Sequence, residues 1–305
     1  MEFPRIDQQT QLRRLEVPSG ILRMVLDTDT FNEIDDQFAV AYALLSPERL
    51  KVEAICAAPF VGHRAATPGE GMQKSHEEIL RLLDKLGRSA QGLVEQGSTS
   101  WLTGRETPEP SQAALRIVKN AMDGDNLLYV VGIAAPTNIA SAILIKPEIV
   151  RRIVVIWLGG QPHTFHTASE YNLKQDPAAS RVLLDSGVPL IHIPCYGVAS
   201  HLLTTVPELE SALRGRNRIS DFLLQRFSEY SDDHFAWAKE IWDIASIGYL
   251  MNEEWVPTNV IPSPILNPDL TWGVPSPGRH LIREAWYVRR NPIFRDLFLK
   301  LRGVT

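Results

Sequence analysis

Residues 21–45 read ILRMVLDTDTFNEIDDQFAVAYALL. The stretch from 21 to 28 is apolar and then turns polar, which predicts a buried strand that ends at the edge of a sheet. From Asp35 to Leu45 apolar residues recur at helical spacing, and Pro47 disfavours helix at Ser46, so a helix stops there. Between strand and helix lie Asp27, Asp29, Asp35 and Asp36. A buried strand handing over to a helix through a polar connection is the opening move of an α/β fold.

The same alternation continues outward. Strands are predicted at 51–58, 92–95, 127–132, 152–158 and 188–193, with helices at 72–86, 111–122, 136–145 and 176–185. After Pro207 the pattern is helical over 217–230 and 237–251; residues 256–290 are rich in Pro and β-formers, and 294–301 closes as a short helix. This order predicts an open, mainly parallel sheet with helices on both faces, in one domain spanning 1–305. The composition agrees with a globular chain: 44% hydrophobic and 22% charged residues.

Acidic and basic residues are interspersed, 36 against 31, for a net charge of −5. No basic block suits nucleic acid or an anionic membrane surface, so neither is expected as a partner. The two cysteines, Cys56 and Cys195, sit in apolar runs and read as buried thiols, with no disulfide framework or zinc spacing. The first twenty residues lack an apolar segment, and no run approaches the roughly 18 apolar residues of a membrane span. A cytoplasmic location is expected.

In open α/β sheets, ligands bind beyond the carboxyl ends of the strands, where this acid cluster falls. Four carboxylates within ten residues repel one another unless a cation sits among them. All are hard oxygen donors, which suits calcium or magnesium and not zinc. The alternative is that Asp27 and Asp35 cap turns and Asp36 is a solvated first-turn acid. Asp27-Thr28-Asp29-Thr30 after a strand also matches phosphatases of the haloacid dehalogenase type. That reading needs a second acidic pair late in the sheet, and Asp232-Asp233 falls in a predicted helical connection instead.

Four blocks in order resemble the inosine–uridine-preferring nucleoside hydrolases. Asp27-Thr28-Asp29 with Asp35-Asp36 is similar to that family's DxDPGxDD, two residues longer and without the Pro-Gly pair. The stretch from Gly132 to Ala140 resembles its GPLTNxA turn. Leu158-Gly159-Gly160, Glu170-Tyr171-Asn172 and Asp176-Pro177-Ala178-Ala179 resemble its MGG, EFN and DPEAA elements, and Trp242-Asp243 its late WDP. The resemblance implies a Rossmann-like core and calcium-dependent hydrolysis of a nucleoside to ribose and free base, by a homodimer or homotetramer.

Roles carry over at matching positions. Asp29 would ligate calcium and take the proton of the attacking water; Asp36, the backbone carbonyl of Thr137 and Asp243 would complete the ion's protein ligands. Asp35, Glu170 and Asn172 would hold the ribose hydroxyls, and Asp27 would support the cluster from behind. Carboxylates around the sugar suit the oxocarbenium-like charge that develops as a glycosidic bond breaks. Trp242 stands where many relatives have His; the purine-specific branch carries Trp there, which favours a purine base by stacking.

The chain departs from the family in the segment 59–64, which lacks the usual Asn, and at Thr164, where another Asn is usual. A non-catalytic or differently specific member that binds a ribosyl ligand is therefore the second expectation. Trp101 is a candidate second ring. His163 and His166 are not assigned as ligands, His192 reads as a core histidine, and His76 with Glu77–Glu78 reads as a solvated helix face. Ser200-His201 lacks a glycine-flanked nucleophile elbow.

Overall fold

The computed structural model describes residues 3–274 and 276–303. In chain order the elements are α1 (Gln8–Arg14), β1 (Leu22–Thr28), α2 (Asp35–Leu44), β2 (Leu50–Ala57), α3 (Pro68–Lys85), β3 (Val94–Gln96), α4 (Gln112–Met122), β4 (Leu128–Gly132), α5 (Thr137–Ile145) and β5 (Ile153–Leu158). There follow α6 (Tyr171–Gln175), α7 (Pro177–Asp185), β6 (Leu190–Ile193), β7 (Leu203–Thr204), α8 (Val206–Leu213) and α9 (Arg218–Ser228). The chain ends with β8 (Lys239–Glu240), α10 (Ile244–Met251), β9 (Thr258–Pro262), β10 (Leu281–Ala285) and α11 (Arg290–Arg302).

Eight strands form one sheet in the order β3-β2-β1-β4-β5-β6-β10-β9, parallel throughout except for β9. Alternate residues of β1 feed different cores. Met24 and Leu26 pack with α2, α3, α10 and α11, and Val25 packs with α4, α5 and α7 on the other face. Burial on both faces is why β1 reads as a continuous apolar run and not as an alternating one. Helix α2 is buried along its whole length, so its apolar residues surround it.

The register between β1 and β2 jumps at Met24/Val25, because Glu53 is an extra residue in β2. Its carboxylate pairs with the Arg23 guanidinium at 2.9 Å. The crossover from β1 to β2 runs one way and the later return to β4 runs the other. A crevice therefore opens between the carboxyl ends of β1 and β4, the usual ligand position in such sheets.

Two expectations need correction. Residues 237–251 are not one helix: β8 pairs with β7, and α10 starts only at Ile244. Glu78 is not solvated but fully buried, accepting from Gln37 Nε2 at 2.6 Å and pairing with Arg81. Its partners come from α2 and from the next turn of its own helix, so the local pattern could not show them. Helices α1, α6 and α8 were not anticipated. Among the described residues, no helix is long and apolar enough to cross a membrane.

Candidate active site

The crevice holds a cavity of about 350 Å³. It is lined by the acids Asp29, Glu33, Asp35, Asp36 and Asp243, by Glu170, Tyr171 and Asn172, and by the rings of Tyr196 and Trp242. These residues come from the ends of β1 and β6 and the starts of α2, α6 and α10, with Ile133 and Leu158 from the ends of β4 and β5, which is why residues far apart in sequence meet here.

Asp29 follows β1, and its carbonyl accepts from Asn32 N at 2.8 Å in the turn that starts the connection. Asp35 and Asp36 open α2 with no side-chain cap on that helix, so its N-terminal dipole faces the acids. Asp36 Oδ1 accepts from the Thr28 hydroxyl and from Asp29 N, the latter at 3.1 Å. Asp243 immediately precedes α10. Donor oxygens of Asp35, Asp36 and Asp243 lie within 4.8 Å of one another.

Burial pushes the Asp35 carboxyl up to about 7, with Glu33 adding to the rise and Lys239 opposing it. Asp29, Asp36 and Asp243 are raised well above the usual carboxylate range by burial first and then by one another's charge. Lys239, the nearby cation, already pairs with Glu33 at 2.5 Å. The cluster thus holds more negative charge than its side-chain partners balance. Asp29 Oδ2 is buried and has no hydrogen-bond partner.

Asp27 does not reach the cavity. Its Oδ1 accepts from Asn138 Nδ2 at 2.8 Å, its Oδ2 is unpartnered, and burial pushes its carboxyl up to about 7. Asn138 also donates to the Ala57 carbonyl at 3.3 Å, and its Oδ1 accepts from Ser98 N at 2.8 Å, Ser98 Oγ and Ser111 Oγ. This amide ties β1, β2 and the loop after β3 behind the acids.

Glu170 caps α6. Its oxygens accept from Gly160 N at 2.7 Å, Asn172 N at 3.0 Å and Leu173 N at 3.2 Å. Asn172 Nδ2 donates to Leu158 O at 3.0 Å, fixing the amide at the end of β5. Trp242 meets Tyr196 edge to face, with centroids 5.6 Å apart at 87°.

The structure thus brings together Asp29, Asp35, Asp36, Glu170, Asn172, Trp242 and Asp243. Thr137 is not among the cavity residues: it starts α5, and its hydroxyl donates to Asp176 at 2.9 Å. Ile133, four residues earlier and directly after β4, lines the cavity instead. Thr164 and His63 are exposed, and neither they nor Arg64 nor Trp101 line it. Tyr196 takes the place beside Trp242 that Trp101 was expected to take. Asn32, Lys174, Tyr196 and Ile133 were not anticipated. Asn32 was the one with a signal, a polar amide inside the lengthened connection.

The model of the inosine-uridine preferring nucleoside hydrolases matches residues 24–274, which contain every one of these cavity residues. The chain belongs to that family. Within the nucleoside hydrolases, it is 29% identical over 181 residues to the pyrimidine-specific ribonucleoside hydrolase RihA of Citrobacter koseri. That match covers 52% of this chain and 55% of RihA, so it spans only about half of either protein. The fold is that of solved nucleoside hydrolases. A plant enzyme superposes with a TM-score of 0.73 at 18% identity, covering 92% of this chain and 99% of its own. A purine-preferring ribonucleoside hydrolase from Gardnerella vaginalis gives 0.66 at 20% identity, over 92% and 98%. Family membership displaces the phosphatase reading, and Asp232-Asp233 is exposed on the loop before β8.

Proposed function

We propose that this chain hydrolyses the N-glycosidic bond of a ribonucleoside, giving ribose and free base, with calcium bound in the acid cluster and purine nucleosides favoured. The observation that carries the proposal is a cavity lined by both a buried carboxylate cluster and a pair of aromatic rings, Tyr196 and Trp242. Its volume falls at the lower end of the roughly 300–1,000 Å³ typical of small-ligand pockets.

The donor set fits calcium. Asp35, Asp36 and Asp243 bring hard oxygens within 4.8 Å of one another, Asp29 adds a buried Oδ2 without a partner, and the negative charge exceeds what Lys239 can balance. Ile133, at the lip of β4, is better placed than Thr137 to add a backbone oxygen. When bound there, calcium supplies positive charge that orients and acidifies a water.

The protein's own groups account for the remaining steps. Asp29, with Oδ2 free, takes the water's proton as the water oxygen bonds to the anomeric carbon. The bond to the base nitrogen breaks, its electron pair leaves with the base, and the base takes up a proton from solvent while Asp29 returns its own. Asp35 and Asn172 hold ribose hydroxyls, and Glu170 contributes its remaining lone pairs. Their negative charge and dipoles stabilise the developing oxocarbenium. Trp242 with Tyr196 supplies a platform for the leaving base.

Ribose release should be assayed on inosine, guanosine, uridine and cytidine, after chelation and after calcium is restored. Activity that returns with calcium and is lost in Asp29→Ala supports the proposal; equal release by Asp29→Ala overturns the assigned base. The likeness to RihA favours a second reading, in which uridine or cytidine is the better substrate. Binding of ribose with no turnover on any of the four would mark a binding protein. The proposal extends to one domain over 1–305, a homodimer or homotetramer, and a cytoplasmic setting; sedimentation tests the assembly.

A further inference from the structure

A second cluster lies outside the cavity. His163 stands in the loop after β5, His192 in β6 and Glu284 in β10. One donor atom from each lies within 4.8 Å of the other two. Both Nδ1 atoms converge on one carboxylate oxygen: His163 Nδ1 is 2.6 Å and His192 Nδ1 3.1 Å from Glu284 Oε2. His192 is fully buried, and Trp272 packs its ring edge-on to His163 at 4.5 Å.

We propose that His163, His192 and Glu284 form a binding site for a transition-metal dication of the zinc class. Three features favour an ion over a plain hydrogen-bond network. First, His192 Nε2 lies 2.7 Å from the Gly159 carbonyl. That carbonyl must receive a proton, so in the neutral ring Nδ1 presents a lone pair towards Glu284. Metal-bound histidines are characteristically held in this way, with the second nitrogen donating to a carbonyl. Second, His163 Nε2 is buried and has no hydrogen-bond partner, while its Nδ1 reaches Glu284 Oε2 at 2.6 Å. Third, the His192 Nδ1 lone pair and the carboxylate it faces repel unless a proton or a cation lies between them.

Two imidazoles and one carboxylate suit zinc, whereas the acid cluster offers only hard oxygens. Zinc bonds of about 2.0–2.2 Å set tetrahedral donors roughly 3.3–3.5 Å apart, so Glu284 withdraws by less than about 1 Å on loading. A fourth position remains for water. The ion would join β6 and β10 to the Gly159–Gly160 turn, whose Gly160 N–H is held by Glu170.

The test uses the full chain, stripped by chelator and dialysed into excess calcium, then titrated with Co²⁺ as a spectroscopic probe and competed with Zn²⁺. We expect one equivalent of Co²⁺ with the strong visible absorption of four-coordinate cobalt, erased by Zn²⁺ and retained in Asp243→Asn. His163→Ala, on a loop, should weaken binding by more than the roughly 10–100-fold that loss of an outer partner costs. Glu284→Gln should do the same, and circular dichroism checks that each variant is folded. Absence of that absorption in the wild type, or an unchanged titration in folded His163→Ala, overturns the proposal. Neither result depends on nucleoside turnover.

Discussion

Replacing Asn138 by Asp changes one atom and inverts its chemistry. The amide nitrogen now donates to Asp27 Oδ1 at 2.8 Å and to the Ala57 carbonyl at 3.3 Å, all of it buried. In Asn138→Asp an oxygen faces two acceptors, and the pair must bind a proton to remain folded. Asp27 is itself raised to about 7 and so already shares this cost in the wild type. The added proton goes to the second carboxyl, of ordinary pKa near 4, and at pH 7 costs about 4 kcal/mol, at 1.36 kcal/mol per pH unit. A new O–H donor then recovers one of the two bonds, and losing the other costs about 1 kcal/mol. We expect a deficit of roughly 3–5 kcal/mol at pH 7, in line with the cost of breaking buried pairs. The sign follows from the proton: uptake is easier in acid, so the deficit shrinks as pH falls from 7 towards 4. Urea unfolding from pH 5 to 8 at fixed calcium measures it. Asn138→Ala is the control, because it removes the same bonds without needing a proton. A deficit below about 1 kcal/mol, or one that does not change with pH, would refute the reasoning.

Chelation should lower the melting temperature and calcium should restore it: an ion at about 100 times its Kd contributes about 2.7 kcal/mol, or several °C. Asp243→Asn should blunt that response in the same thermal scan. His280 is held neutral, its pKa pushed down to about 4 by burial and then by Arg279, and its buried Nε2 has no partner. Its stabilising effect is therefore complete above the unfolded value of 6.5 and is lost as pH falls through about 4. Its ceiling is about 3 kcal/mol, and His280→Gln should flatten acid unfolding over that window. Trp242→Ala should raise KM for a purine nucleoside roughly tenfold or more, from lost stacking and burial. A fall in kcat with KM unchanged would show that the ring does not bind the base.

The sheet was legible because its strands are short apolar runs separated by helical periodicity, and β1 to β6 fall within two residues of expectation. What failed was short or held by remote partners. Trp237, Ile241 and Trp242 mimic a helical spacing, yet Lys239 and Glu240 pair with β7. Five-residue α6 is too short to show a period and exists because Glu170 caps it. The acids Asp29, Asp35, Asp36 and Asp243 could be named from motif and chemistry. Lys174 and Tyr196 could not, since nothing local marks them and only the meeting of loops brings them to the cavity. Thr137 illustrates the limit of carrying a role across by motif: the residue of this turn that lines the cavity is Ile133, four positions earlier.

The extra residue in β2 bears on chain length. Val52 packs on the face of Met24 and Ala54 on the face of Val25, so Glu53 lies between two stretches that are already correctly phased. Deleting Glu53 would cost the Arg23 ion pair but leave every later side chain on its proper face. Deleting Ile55 would turn the end of the strand over and exchange Cys56 with Ala57 between the two cores. Glu53 is thus a position in β2 where a change in length would be absorbed before it reached the crevice.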